Sequence, residues 1–199
     1  RFEVKNVSEE EFELLKKDKS ILIQKSIERH IFLDESTPLI EADTAWNIQE
    51  NSTNVTGKGE TVCILDTGAQ TDHPSLVGKN ATCNIDCLTD SNNCVENCSL
   101  TDGNRHGTHV AGIVASAHST YTGVTLNAKY LPVMVCNSAG GCPDASTIAG
   151  IYWCIENKDT YNISVISMSL GGGQYDSYCD GNFSSDKQAI NNATFNNMT

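Results

Sequence analysis

The sequence predicts an α/β fold built on a doubly wound, mostly parallel sheet, and three observations carry that expectation. Short continuous apolar runs, TVCILD (61–66), KYLPVMVC (129–136) and SVISMSL (164–170), read as strands buried on both faces. Helical patterns separate them, HGTHVAGIVAS (106–116) and ASTIAGIYWCIEN (145–157). Strands that alternate with helices form crossover units, and these place a parallel sheet between two helical layers.

The elements follow in chain order. Ser8 with Glu11 reads as a capping box and Val7 with Phe12 as a hydrophobic staple, so a helix is expected from about Glu9 to Asp18. ILIQKSIERHIFL (21–33) mixes β-formers with alternating polar positions, as a half-buried strand does. Residues 1–33 thus read as a separate unit, charged and Pro-containing residues 34–40 as a linker, and 41–199 as the main domain. Near the end, Ser185 with Gln188 suggests a second capping box, opening a helix that runs almost to Thr199. A crossover helix leads into another parallel strand, and none follows this one, so the α/β domain is expected to be truncated before its C-terminal portion.

Composition sets the outer limits. The 199 residues suit one to two domains, and 39% hydrophobic with 19% charged residues is the make-up of a globular chain. No apolar run approaches the ~18 residues of a membrane span. Thirteen Lys and Arg against 25 Asp and Glu give a formal charge of −12, the wrong sign for tracking a phosphate backbone, which excludes nucleic acid as a partner. Nine cysteines suit an oxidising compartment. Nine Asn-x-Ser/Thr sequons, at Asn6, Asn51, Asn54, Asn80, Asn97, Asn162, Asn182, Asn192 and Asn197, exceed the roughly three or four that chance would supply. The two counts together predict a secreted, glycosylated protein.

Among the cysteines, Cys63 sits inside a strand where a small buried hydrophobe suffices, and is expected to stay free. Cys136 and Cys142 are close enough to clamp the SAGG segment between them. Cys83, Cys87, Cys94 and Cys98 are expected to close on one another as disulfides in preference to zinc ligation, which leaves Cys154 with Cys179.

The chemistry concentrates in three motifs. VCILDTG puts Asp66 at the carboxyl end of a buried strand, where open α/β sheets hold their ligands. DTG alone would also suit an aspartic protease, but that reading needs a mostly β chain that dimerises or a second copy of the motif. His106 opens the helix of NRHGTHVAG, whose Gly107, Ala111, Gly112 and Ala115 keep it thin enough to lie closely on the sheet. An imidazole held there can take a proton from a nucleophile while its other nitrogen bonds Asp66. His109, three residues on, lacks the HExxH pattern of a zinc site and is expected to be a buried, hydrogen-bonded helix residue. SMSLGG (167–172) ends a strand in glycines that let a second backbone approach, and SAGG (138–141) offers an opposite wall for an extended peptide.

VCILDTGAQTDHPSL (62–76), NRHGTHVAGIVA (104–115) and ISMSLGG (166–172) stand in the order and roughly the spacing of the subtilisin-like serine proteases, a family that the chain resembles from about residue 38 to 199. The resemblance implies a subtilisin-like fold and a secreted endopeptidase with an Asp-His-Ser triad, in which Asp66 is the acid and His106 the base. Ala139, Gly140 and Gly141 on one side, with Ser169, Leu170 and Gly171 on the other, would flank the substrate strand. Residues 1–33 would be the tail of an inhibitory propeptide, cut by the enzyme itself between about His30 and Thr37. The family's oxyanion Asn and nucleophilic Ser would lie beyond Thr199, in the C-terminal remainder of the catalytic domain. No GTSMA or GxSxG run occurs in residues 1–199, so this polypeptide alone is expected to be inactive. The partners implied are protein or peptide substrates, the propeptide and that remainder. A catalytically inactive interaction domain of the same fold is the alternative.

No cofactor is required for such chemistry. Where relatives with a tight calcium site carry Asp after HisPro, this chain has Ser75, and the loop 117–123 is short and lacks the usual Asn ligand, so that structural calcium site is expected to be absent. Asp86, Asp90, Asn92, Asn93 and Asp102 are oxygen donors that could bind calcium, but are expected to be solvated loop residues.

Overall fold

The computed structural model describes residues 7–18, 20, 33–172, 176 and 183–199. The chain divides into two compact units, Arg1–Ile31 and Phe32–Thr199. In the first, helix α1 (Glu9–Leu15) begins where Ser8 Oγ accepts the Glu11 N–H at 3.2 Å, and Glu9, Glu10 and Glu11 place negative charge at its N-terminus. It ends three residues short of the expected Asp18. The strand expected over 21–33 lies outside the described residues, save Leu33, which begins a helix.

In the second unit the expected linker is helical: α2 (Leu33–Leu39) and α3 (Ala42–Ala45) join through Glu41, whose φ is 58°. Pro38 sits one residue from the end of α2. Strands β1 (Gln49–Glu50) and β2 (Thr53–Asn54) then pair through Asn51 and Ser52, both at positive φ as a two-residue hairpin turn demands.

The main sheet has the order β5-β4-β6-β3-β7, formed by β3 (Thr61–Asp66), β4 (Ile85–Asp86), β5 (Val95–Glu96), β6 (Lys129–Met134) and β7 (Ile163–Ser167). All neighbours are parallel except β5, an antiparallel edge on β4. All six residues of β3 are buried, and their alternation assigns each to a face. Val62 and Ile64 pack with Tyr130 against Val110, Ala111 and Ala115 of α4 (His106–Ala115). Cys63 and Leu65 pack with Leu131 and Val133 against Ile151 and Cys154 of α5 (Asp144–Glu156), and against Ala189 and Ala193 of α7 (Ser184–Phe195). A short helix, α6 (Lys158–Tyr161), leads from α5 into β7. Gly150 lets α5 lie flat, since a Cβ there would come within 2.8 Å of Val135 Cγ1. Tyr130 is fully buried, and burial pushes its phenol up to about 12, so it stays neutral within the core.

Three expectations need correction. Cys63 is not free: it is bonded to Cys154, which leaves Cys179, outside the described residues, without that partner. Residue alternation turns Cys63 toward α5, and Cys154 lies on the buried side of that helix with the two Cα atoms 6.4 Å apart. Cys136–Cys142 forms as expected, and the 83–98 cysteines close on one another, pairing as Cys83–Cys98 and Cys87–Cys94. Next, Ser185 does not cap α7, because the helix already starts at Ser184 and Ser185 lies within it. Finally, α7 ends at Phe195 and returns the chain to the sheet: Thr199 N–H donates to Ser164 O at 3.0 Å, and Ile166 N–H donates to Thr199 O at 2.8 Å. Thr199 thus meets β7 through these two backbone bonds.

Because the Cys63–Cys154 bridge ties the central strand to a helix 91 residues away, its removal should be costly. Replacing both cysteines by Ala is expected to lower stability by about 2–5 kcal/mol in denaturant titration. Non-reducing peptide mapping should recover the two cysteines in one linked pair.

Candidate active site

Strand β3 ends at Asp66, and the backbone turns away through Thr67 and Gly68 at a positive φ of 89°. The Asp66 carbonyl is held by two neighbouring donors, Val135 N–H at 2.9 Å and Cys136 N–H at 3.1 Å. Asn84, buried to 1% exposure, fastens the turn: its Oδ1 accepts the Ala69 N–H at 2.7 Å, and its Nδ2 donates to the carbonyls of Ala69 and Leu100, each at 2.9 Å. Helix α4 starts against this turn. A Cβ on Gly107 would lie 2.0 Å from the Gly68 carbonyl oxygen, so only glycine fits. Gly112, by contrast, faces open space and contributes nothing to this closeness.

That approach brings the His106 ring onto Asp66. Nδ1 lies 2.8 Å from Oδ1 and 2.9 Å from Oδ2 of the carboxylate. Asp66 is buried at 2% side-chain exposure, whereas the imidazole is 50% exposed and faces the cleft. Thr67 N–H donates to Asp66 Oδ1 at 2.7 Å. The partner of Asp66 is therefore an imidazole, not the second carboxylate that an aspartic protease requires, and the chain lies in a parallel α/β sheet.

The residue that organises this corner is Asp102, which the sequence marked only as a solvated loop residue. Asp102 Oδ1 accepts from the Thr67 hydroxyl at 2.8 Å, Asn104 N–H at 3.0 Å and Arg105 N–H at 2.8 Å. Its Oδ2 accepts from Thr108 N–H at 2.8 Å and from the Thr108 hydroxyl at 2.6 Å. Burial alone would raise its pKa, but the Thr108, Thr67 and Arg105 donors together outweigh it and hold the carboxyl below the usual 3.8. Asp86 is also internal: Leu88 N–H, Thr89 N–H and the Thr89 hydroxyl all donate to it. The chain's own donors bond both carboxylates, so neither is a freely solvated loop residue. Asp90 is exposed and closes a local turn with Asn92. His109 is exposed, correcting the expectation that it is buried. His73 and His118 accept local backbone N–H groups away from the cleft, and His30 lies outside the described residues.

The cleft over this pair measures about 620 Å³. Of the expected substrate-flanking residues, Gly140, Ser169, Leu170 and Gly171 line it, whereas Ala139 and Gly141 belong to the same turn without lining it. The turn is closed by the Cys136–Cys142 bridge and built around Asn137, whose Oδ1 accepts the N–H groups of Ala139 at 2.9 Å and Gly141 at 3.0 Å. Asn104 Nδ2 donates to Ser138 O at 2.9 Å, tying this wall to the segment before His106. Asp144, Thr147, Phe183 and Asp186 also line the cleft, none of them marked by a local motif.

A family model described as the subtilase family matches residues 57–199. The chain belongs to the subtilase family. It is 35% identical over 165 residues to serine protease AprX of Bacillus subtilis (strain 168), covering 77% of this chain and 36% of that protein. Thermitase of Thermoactinomyces vulgaris is 35% identical over 141 residues, covering 67% of this chain and 43% of thermitase. Among solved structures, sphericase matches with a TM-score of 0.61 at 28% identity, over 78% of this chain and 48% of that one. The chain thus spans between about a third and a half of these relatives' lengths.

Since the folded pKa of Asp102 lies below its unfolded value, its ionised form stabilises the fold above pH ~3.8, and that contribution is lost as pH falls through and below this point. Denaturant titrations at about pH 6 and pH 3 should show a steeper acid loss for the wild type than for Asp102→Asn. Equal losses would contradict the assignment.

Proposed function

We propose that the chain is the amino-terminal part of a secreted subtilisin-like serine endopeptidase, and the observation that carries this reading is the Asp66–His106 pair at the cleft. Asp66 occupies Nδ1, which leaves Nε2 to exchange the proton of a nucleophile. A seryl hydroxyl from outside residues 1–199 attacks the scissile carbonyl, and its proton passes to His106 Nε2. That proton then goes to the leaving amine as the peptide C–N bond breaks. Asp66 orients the ring and stabilises its charged form. An extended substrate lies between the 139–141 turn and the 169–171 segment, bonding through backbone groups. The intact acid–base pair favours this reading over an inactive interaction domain, since binding alone needs neither group.

Residues 1–33 act as an inhibitory propeptide in this proposal. The cleft takes extended backbone, whereas α2 holds residues 33–39 helical, so the self-cleaved bond falls ahead of Leu33. In the full-length protein, His106→Ala is expected to abolish turnover and to leave the propeptide attached, whereas Asp66→Asn lowers kcat by roughly 10⁴. Peptidase assays, fluorophosphonate labelling and amino-terminal sequencing of the mature form check this. Activity above about a tenth of wild type in both variants would sink the triad assignment.

Secretion is supported by four disulfides and by the sequons. The seven sequon asparagines that the structure describes (51, 54, 80, 97, 162, 192 and 197) are all exposed or half-buried, and none lines the cleft. Peptide N-glycosidase treatment of the protein made in its secreting host should lower its mass. An unchanged mass would remove the glycoprotein reading.

A further inference from the structure

The side chain on which the position of His106 converges is one that the proposed chemistry does not touch. Asp102 binds the residue beside the acid and residues on both sides of the base. Through Thr67 it reaches Asp66: the Thr67 hydroxyl donates to Asp102, its oxygen accepts the Gly107 N–H at 2.9 Å, and its own N–H donates to the Asp66 oxygen that also faces His106. Through Arg105 and Thr108 it brackets His106 itself.

Arg105 makes this bracket specific. Its φ of 78° is left-handed, a conformation that is costly for a side-chain-bearing residue and persists only where the surroundings impose it. The imposing contacts are its N–H on Asp102 and its carbonyl, which accepts the His109 N–H at 3.1 Å. Arg105 gives α4 no side-chain cap, so Asp102 caps the helix from three residues upstream and puts its charge at the N-terminus.

We propose that Asp102 is a positioning residue for His106: it holds Arg105 left-handed and locks the first turn of α4 to Thr67, so that the imidazole meets Asp66 in one orientation. This rests on the protease reading of the cleft. A simple helix cap would be served nearly as well by Asn, whereas the five-donor arrangement needs two accepting oxygens. Asn offers one, and turns an amide toward donors already aimed at it.

The test uses the full-length protease as wild type, Asp102→Asn, Asp102→Asn with Arg105→Gly, and His106→Ala. Because small misplacements of a catalytic group are costly, Asp102→Asn should lower kcat at least about tenfold with KM within about twofold. The low-field Nδ1 proton resonance of His106 should broaden or vanish. Adding Arg105→Gly, which frees the left-handed backbone of its cost, should recover part of kcat. A kcat within about threefold of wild type with the Nδ1 resonance unchanged overturns the proposal, as does a loss of kcat that merely follows the folded fraction. An inactive His106→Ala beside a fully active Asp102→Asn refutes the proposal alone, whereas an active His106→Ala refutes the protease reading and the proposal with it.

Discussion

The end of β3 and the first turn of α4 approach so closely that a Cβ on Gly107 would sit 2.0 Å from the Gly68 carbonyl oxygen, and the rest of the site depends on that contact. With any larger residue there, α4 would lift off the turn and His106 would leave Asp66. The contact is affordable because both partners are over-determined: Asn84 holds the 68–70 turn from one side, and Asp102 holds the helix start from the other. A hydrogen bond between an aspartate and a half-exposed imidazole is modest in itself. It is held to one geometry by the rigid backbone on either side.

Beneath the site, the sheet supplies that rigidity. β3 has parallel neighbours on both sides and helices on both faces, so every one of its residues is buried. Alternation sends Val62 and Ile64 to the α4 layer and Cys63 and Leu65 to the α5 layer. The Cys63–Cys154 bridge therefore reinforces the layer opposite His106, while the Cys136–Cys142 bridge shapes the cleft wall. Disulfides thus act at two levels in this protein, one in the core below the site and one at its rim.

Membership of the subtilase family and the local geometry of the cleft rest on different observations. The family match reflects the run of residues from 57 to 199, whereas the pairing of Asp66 with His106 is a contact in the fold between residues 40 apart. Asp102 illustrates the gap between the two kinds of reading. In the sequence it is one acid among several in a polar, cysteine-rich stretch, and the turn signal TDGN suggests only a loop. In the structure it accepts five hydrogen bonds and joins three segments of the site.

By itself the sequence determined the order and type of the main elements, because strand and helix periodicities are written in neighbouring residues. It also singled out Asp66 and His106, each at the end of a strongly patterned element, and the Cys136–Cys142 clamp, which spans only six residues. Tertiary structure alone decided the rest. Short helices replaced the expected linker at 34–40, Cys63 found Cys154 across 91 residues, and Thr199 joined the edge of β7. Asn84 and Asp102 took structural roles that no local pattern announces. The physical reason is that each partner, whether a backbone group, a side-chain oxygen or a sulfur, bonds what the fold brings within about 3 Å or less, and that neighbour is set by packing rather than by local pattern.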